Sequence, residues 1–428
     1  MDSIMARVIY TPHLDEKVGK VRNLDLNCQA LNRDQILIYT SDRLSANDQA
    51  LGEIIGKGQV LSQLGAWWFD QLSQERPEVP HHYLYSSNVN TWVCKRTQPI
   101  MLEFIVRNHL YGSMWRKYES GERSFNGITL PDNMIKGNVL PCGPIVTIKE
   151  TEPGKHDCPI TRTEIISQGI MTVSDYQRCE ELALKVFKFG REVCQKHKLI
   201  LVDTKYEFGY DTNTGEIMLI DEIHTPDSSR FWGLPGGELF MTDDGPIVQT
   251  FDKDIARQYL NNNPHVTTLP VSIQNQLLNN YTTVYELLMG HSFRISSNND
   301  NNIIIMAGSL SDKWYCDKII KEIENNCIEC NWHIYYMSAH KNTPNVLNYL
   351  NSLSGKNIII TVAEASNALS GIVACNSKYP VFACPPFKDK VDMIVNINSI
   401  LQMPSNTPVM TVLSIGNVIK CCKRIISY

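Results

Sequence analysis

The sequence predicts two domains in succession, a mixed α+β body followed by a doubly wound parallel α/β unit, and three observations carry that expectation. Leu199 to Phe208 alternates as a strand does, Asp211 to Gly215 is turn chemistry, and Glu216 to Asp221 resumes a strand, so this stretch reads as an antiparallel hairpin. Ser296 to Asn302 is poor in hydrophobic residues and rich in small polar ones, which makes it the best linker candidate in the chain. Directly after it, Ile303 to Met306 reads as a buried strand, and the pattern of strand, small-residue turn and helix then begins to repeat. The expected boundaries are 1–295, a linker over 296–302, and 303–428, each domain of ordinary size.

Taken in order, Lys17-Val18-Gly19-Lys20-Val21-Arg22 sets one glycine among basic residues ahead of the strand-like Gln35–Tyr39. Such a turn lets backbone approach a nucleotide phosphate, although an exposed basic turn accounts for the same letters. Ser41 to Asp48 reads as a loop at a strand's end. Val60 to Leu72 is amphipathic, and Leu61, Leu64, Trp68 and Leu72 fall at helical spacing as core. Met101 to Tyr118 begins as an apolar strand on which Glu103 and Arg107 point to one side, either as a site or as an internal ion pair. Gly112-Ser113 then opens a helix whose first N–H groups suit a phosphate. Pro141 to Ile160, with Glu150, Glu152, His156 and Asp157, reads as a long surface loop. Asp175–Lys196 is an amphipathic helix, and helices over Asp252–Leu260 and Val271–Gly290 complete the first domain.

In the second domain the turn Ala307 to Asp312 presents backbone N–H groups and the Ser309 and Ser311 hydroxyls to a phosphate, ahead of a helix over Trp314–Glu324. Strands follow at His333–Met337, Asn357–Val362 and Val381–Ala383. Their loops, Ser338–Lys341, Glu364–Gly371 and Cys384–Pro386, should converge, because ligands of such sheets bind at the carboxyl ends of the strands. His340 and Lys341 adjoin there.

Hydrophobic residues at 43% and charged residues at 20% describe a globular chain with a substantial core. A net charge of −5 argues against a nucleic-acid partner. No stretch has signal-peptide or membrane-spanning length, so no membrane partner is expected. The 13 cysteines are odd in number and irregular, and Cys327 with Cys330 is a lone CxxC pair. Zinc is not expected, and a reducing, cytoplasmic location fits.

The chemistry concentrates on the central hairpin. Asp203, Lys205 and Glu207 share one strand face, and Asp221-Glu222 returns close in sequence to Asp227 and Arg230. Carboxylates flanking a lysine suit a magnesium–phosphate site, since magnesium takes one or two carboxylates plus phosphate oxygens. A solvated face with cross-strand ion pairs suits the same residues.

These motifs, in this order, resemble a known family. The first domain resembles SAICAR synthetase (phosphoribosylaminoimidazole-succinocarboxamide synthase) through SDRLSANDQAL (41–51), IIGKG (54–58), Ile105 to Ser113, GKHD (154–157), VDTKYEFG (202–209) and DEIHTPDSSRFW (221–232). The second resembles the AIR carboxylase of purine biosynthesis through AGSLSD (307–312), SAHK (338–341), SNAL (366–369), YPVFACPP (379–386) and LQMPSNTPV (401–409). Synthetase before carboxylase is similar to the fused bifunctional enzymes of animals. The resemblance implies a two-lobed, ATP-grasp/kinase-like first domain and a three-layer α/β/α second domain.

For the first domain the resemblance implies that ATP activates the carboxylate of CAIR and L-aspartate displaces phosphate. Glu207 and Asp221 would hold Mg2+, Gly19 and Lys20 would meet ATP, and Lys205 and Asp203 would serve catalysis, with Lys205 on the phosphates. Arg107, Ser113, Asp203, Asp157 and Arg230 would bind CAIR; strand parity admits only one of Asp221 and Glu222 beside Glu207. For the second domain it implies that AIR takes up CO2 without a cofactor. His340 would move the ring proton, and Lys341 would attract the new carboxylate. Ser309, Ser311, Asp312, Ser338, Ser366 and Asn367 would hold the substrate. A homo-oligomer, an octamer through this domain, is also implied. Two departures stand out: Lys149 sits one place early in its motif, and Glu364, Ala368 and Ser370 replace family glycines. An inactive second domain serving as an assembly scaffold, or one acting on the carbamate isomer, is the alternative expectation.

Overall fold

The structure, a computed structural model, describes residues 16–26, 33–46, 49–151, 158–234, 240–242, 245–296, 301–326, 328, 330–341, 343–353, 355–364 and 368–427. They form two compact bodies, one of residues 16–83 and 93–289 and one of 84–92 and 290–427. Glu152, His156, Asp157, Ser366, Asn367 and the middle of the expected linker (297–300) lie outside the described residues.

The first body is built around an antiparallel sheet ordered Cys158–Ile160, Ile145–Glu150, Thr97–Arg107, Leu199–Asp211, Ser229–Gly233 and Gln249–Phe251. Leu199–Asp211 is 13 residues long. Its length lets one edge accept two short strands end to end, Ile217–Ile220 beside Glu207–Tyr210 and Ser229–Gly233 beside Leu199–Thr204. Residues 221–228 span the interval between them, so this segment lies against Lys205, whose backbone N–H donates to the Ser228 carbonyl at 3.1 Å.

Alternation along the central strand decides the two faces. Val202, Thr204, Tyr206 and Phe208 are buried on the side of helix Val173–Lys196. Phe104 meets the Phe208 ring edge-on at 5.3 Å and the Tyr176 ring at 5.9 Å. Burying each such aromatic stabilises the body by roughly 1.5–3 kcal/mol. Asp203, Lys205 and Glu207 face the other way, into a cleft. The helix starts two residues before the predicted Asp175 because the Thr172 hydroxyl caps it, accepting from Asp175 N at 3.1 Å. Helix Lys57–Glu75 extends the predicted segment at both ends, and Leu61, Leu64, Trp68 and Leu72 are its buried stripe. A meander of Glu16–Val18, Arg22–Asp25 and Gln35–Thr40 brings the basic turn at Gly19 to the same cleft.

Three local expectations are corrected. Ser41–Asp48 is not simply a loop, because Arg43–Ala46 pairs as a strand with Gln49–Glu53. Pro141–Ile160 contains the strand Ile145–Glu150, which adds to Thr97–Arg107 and so satisfies its own backbone. The hairpin's second strand runs only from Ile217 to Ile220, because Asp221 turns into left-handed backbone at φ 61°. The last two helices are Asp254–Asn262 and Val271–Met289.

The second body holds a parallel five-stranded sheet in the order Asn331–Tyr336, Asn302–Ala307, Asn357–Val362, Val381–Ala383, Met410–Thr411. All six residues of Asn357–Val362 are buried, as expected of a parallel strand covered on both faces. Helices Lys313–Asn325 and Ile415–Ile426 pack on the face of Ile303, Ile305, Ile358 and Ile360. In chain order the strands run 2-1-3-4-5, which puts the reversal of strand order between Asn302–Ala307 and Asn357–Val362. Ligands of open α/β sheets bind at that point, outside the carboxyl ends of the strands.

Candidate active site

The cleft of the first body encloses about 740 Å³ and brings the basic Gly19 turn, the central strand and the 221–230 segment together. On its floor one ammonium meets three carboxylates. Lys205 Nζ lies 3.3 Å from Glu103 Oε1 and 3.5 Å from Asp221 Oδ2, and it also pairs with Glu207. Strand register explains the crowding, because Glu207 stands directly opposite Glu103 on Thr97–Arg107. Like charges placed opposite each other repel, so the lysine between them is structurally required. Burial acts against the Lys205 ammonium, yet Glu207, Glu103 and Asp221 hold its pKa well above the ordinary value. Burial also lifts the Glu207 carboxyl, and Asp221 and Glu103 add to that against the pull of Lys205.

Arg22 completes the cluster from the strand Arg22–Asp25, at 2.7 Å from both Asp221 Oδ1 and Glu222 Oε2. Burial pushes the Asp221 carboxyl up, but Arg22, Lys205 and His82 outweigh it and hold it at about 2. Of Asp221 and Glu222, Asp221 is the one that pairs with Lys205 beside Glu207. Asp221 already lies beyond the strand, and its left-handed turn brings both it and Glu222 to Arg22. The donors are all carboxylate oxygens with negative charge in excess, which fits a hard divalent cation. Among the described residues no three His, Cys, Asp or Glu side chains already form a metal cage. Glu207 and Asp221 would be the protein's share of a magnesium shell otherwise filled by phosphate and water.

The other end of the cleft is an arginine pocket. Asp203 Oδ2 accepts from Arg107 Nη1 at 3.1 Å and from Arg230 Nη1 at 2.5 Å. Arg107 also donates to Ser113 Oγ at 3.2 Å, at the start of helix Gly112–Glu119. Arg230 is held further by Asp252 at 2.9 Å and Asp254 at 3.0 Å, with the Tyr111 ring 5.1 Å from its guanidinium carbon. Gly112 is needed beside it: its φ is +59°, and a Cβ there would lie 2.9 Å from Arg230 Nη1. Glu103 and Arg107 are thus not a pair, since each binds a different partner on the central strand. Asp227 lines the same cleft and anchors Lys253 at 2.5 Å and the fully buried Lys57 at 3.4 Å. Tyr281 donates to it at 2.8 Å.

In the second body Ser309 Oγ accepts from Ser311 N at 3.2 Å, and Asp312 Oδ2 accepts from Ser309 N at 3.2 Å, closing the turn after the first strand. Burial, with Glu364 adding to it, pushes the Asp312 carboxyl up to about 6. A Cβ on Gly308 would lie 3.5 Å from Ala363 Cβ and 3.9 Å from Asp312 Oδ2, so the turns after the first and third strands touch at the reversal point. Ser338 Oγ accepts from Lys341 N at 3.3 Å, and His340 and Lys341 are exposed after the second strand.

The family profile of SAICAR synthetase matches residues 17–270. The phosphoribosylaminoimidazole-succinocarboxamide synthase of Legionella pneumophila (strain Paris) is 38% identical over 291 residues, covering 65% of this chain and 89% of its own. The chloroplastic synthase of Arabidopsis thaliana is 36% identical, over 65% of this chain and 68% of its own. The SAICAR synthase of Saccharomyces cerevisiae, solved in complex with SAICAR, has TM-score 0.54 and 26% identity over 67% of this chain and 99% of its own. The chain belongs to the SAICAR synthetase family. The AIR carboxylase profile matches residues 302–423, so a carboxylase domain follows the synthetase. The protein is an enzyme of purine biosynthesis in which a ligase precedes a lyase.

The sequence alone does not place several residues of the synthetase cleft, although it offers Glu103 with Arg107 as a possible site. Glu103 and Lys149 face each other across neighbouring strands and both line the cleft, but register between strands so far apart in sequence is not written in either. Lys57 had a signal in its setting between Gly56 and Gly58, and its burial against Asp227 depends on tertiary packing. Asp252, Lys253, Asp254 and Arg257 reach the cleft from the turn that opens a helix.

Proposed function

We propose that the chain carboxylates AIR to CAIR with CO2 in its second domain and ligates CAIR to L-aspartate with ATP in its first, giving SAICAR. The observation that carries the ligase reading is the cluster of Glu103, Glu207 and Asp221 around Lys205, in one cleft with the arginine pocket. Lys20 and Lys205 hold the phosphates of ATP, and Glu207 and Asp221 would hold magnesium, which would supply charge neutralisation at the transferring phosphoryl group. Arg107, Ser113, Asp203 and Arg230 bind CAIR and aim its carboxylate at the terminal phosphate. A carboxylate oxygen of CAIR bonds to the terminal phosphorus as the bond from that phosphorus to the ADP oxygen breaks. The aspartate amine then attacks the acyl phosphate carbon, the C–O bond to phosphate breaks and the amine nitrogen loses a proton, giving an amide, ADP and inorganic phosphate. Asp203, bonded to two guanidiniums, fixes Arg107 and Arg230 in place for the carboxylate that is activated.

In the carboxylase the enamine-like carbon of AIR attacks CO2, His340 takes the ring proton, and Lys341 attracts the new carboxylate. Ser309, Ser311, Asp312 and Ser338 hold the ribose phosphate. The strand order supports this, since these turns follow the first two strands and stand at or beside the reversal point. The domains proposed are 1–295 and 303–428, with 296–302 as linker.

We also propose a cytoplasmic homo-oligomer, an octamer assembled through the second domain. The 11 described cysteines are all free thiols, which suits a reducing compartment. On helix Lys390–Leu401 the apolar Val391, Ile394 and Val395 are 72%, 53% and 56% exposed, a face that suits burial against another copy. Sedimentation of the purified chain tests the assembly, and a monomer at micromolar concentration would reject it.

The two half-reactions test the whole assignment. Glu207→Gln should lower aspartate-dependent ADP release by about 10²–10³ and leave CO2-dependent AIR consumption intact. His340→Asn should do the reverse, by about 10²–10⁴. If either substitution stops both steps, two independent sites are the wrong description.

A further inference from the structure

The turn at Gly19 and Lys20 is exposed on the cleft, and a backbone hydrogen bond from Gly19 N to Arg22 O at 2.8 Å closes it. Only glycine fits there, because a Cβ would lie 2.5 Å from the Arg22 carbonyl oxygen. What braces the turn comes from the next hairpin. Arg43 Nη2 donates to the Gly19 carbonyl at 3.0 Å and also to Asn23 Oδ1, so one guanidinium bridges the two ends of the turn. Its two neighbours tie the same segment to the fold. Ser41 donates to the Val21 carbonyl from its backbone N–H at 3.0 Å and from its hydroxyl at 2.5 Å. The Asp42 carboxylate accepts from Gly58 N at 2.8 Å and from Gly56 N at 3.2 Å, at the start of the long helix Lys57–Glu75.

We infer that Arg43 is a positioning residue for ATP: with Ser41 and Asp42 it fixes the Gly19–Lys20 turn to the buried helix, so that the turn meets the phosphates already ordered. The inference rests on the reading that this turn receives ATP. Its physical basis is the trans peptide between Gly19 and Lys20. With the Gly19 carbonyl held on the guanidinium, the Lys20 N–H points the opposite way, and the turn loses the freedom to rotate that peptide. Ordering a phosphate loop before binding removes an entropic cost that would otherwise weaken nucleotide affinity. Arg43 contacts Gly19 and Asn23, whereas Arg107 and Arg230 hold Asp203 at the other end of the cleft.

The test compares Arg43→Ala, Arg43→Lys and Lys20→Ala in the full chain, with CO2-dependent AIR consumption as an internal control of folding. Arg43→Ala should raise KM for ATP about tenfold or more, the scale of losing a charge-assisted hydrogen bond. KM for CAIR and for aspartate should stay within about threefold. Arg43→Lys should recover part of the loss, because a lysine supplies one donor where the guanidinium supplies a fork. Amide hydrogen exchange over residues 18–21 should quicken in Arg43→Ala. If Lys20→Ala raises KM for ATP and Arg43→Ala does not, the bracing role is wrong. If all three KM values rise together with a loss of thermal stability, Arg43 is merely structural and the inference fails. If neither variant alters KM for ATP, the turn does not receive ATP, and that reading falls together with the inference.

Discussion

Replacing Lys205 by methionine keeps an unbranched side chain one atom shorter and removes the charge that three carboxylates share. Glu103 Oε1 and Asp221 Oδ2 lie 3.3 Å and 3.5 Å from Nζ, so neither is further than about 7 Å from the other. Two unit charges at about 7 Å and an effective dielectric constant of about 20 repel by roughly 2–3 kcal/mol. At about 1.4 kcal/mol per pH unit, that repulsion keeps a proton on one carboxyl of the cluster up to nearly neutral pH. Lys205→Met should therefore lose about 2–3 kcal/mol of stability in urea and bind more protons near neutrality. Under the proposed mechanism, aspartate-dependent ADP release should fall by about 10²–10³, because the cation assigned to the transferring phosphoryl group is gone. Adding Glu103→Gln should recover most of the stability and none of the ligation, which separates the charge balance of the cluster from its chemistry. Urea melts and coupled ADP assays read both quantities, with AIR carboxylation as the control. Turnover within about threefold of the parent, or no recovery of stability in the double variant, would refute the reasoning.

At Gly112, alanine would face both a left-handed backbone (φ +59°) and the Arg230 guanidinium at 2.9 Å. Gly112→Ala should raise KM for CAIR by about tenfold with little change in KM for ATP, since the strain falls on the arginine pocket. The pH dependence of stability should come from buried neutral histidines. Burial holds His82 at about 4, against the Asp221 carbonyl and carboxylate, which pull it upward, and it holds His109 at about 4 as well. Both lie below the ordinary value of 6.5, so between about 4 and 6.5 the unfolded chain binds more protons and stability rises with pH. The stabilisation is complete above about 6.5 and is lost as pH falls through 4, by about 1.4 kcal/mol per pH unit for each histidine. Urea melts across that window check the slope, and His82→Gln should make it shallower.

Much of this was legible in the letters. Alternation over Leu199 to Phe208 separated the buried face from the face of Asp203, Lys205 and Glu207, because side-chain direction in a strand has a period of two. The buried run at Ile303 and its repeating partners announced a parallel sheet. What local pattern could not reach was lateral pairing. Ile145–Glu150 looked like loop because a neighbouring strand, not its own composition, makes it extended. Glu103 and Arg107 looked like a pair because both point one way, yet the adjacent strand offers each a nearer partner of opposite charge.

The sequence by itself determined the chemistry available: two carboxylates and a lysine on one strand face, a basic glycine turn, and a histidine–lysine pair after a strand. It also determined the order of the two domains, since each motif series is contiguous along the chain. Only the tertiary structure decided which charges meet. Register put Glu103 opposite Glu207, a left-handed turn at Asp221 delivered two carboxylates to Arg22, and an arginine from the next hairpin closed over Gly19. The reason is physical: Coulomb and hydrogen-bond energies depend on separations of a few ångströms, and those separations are set by how strands line up, which no local stretch of residues specifies.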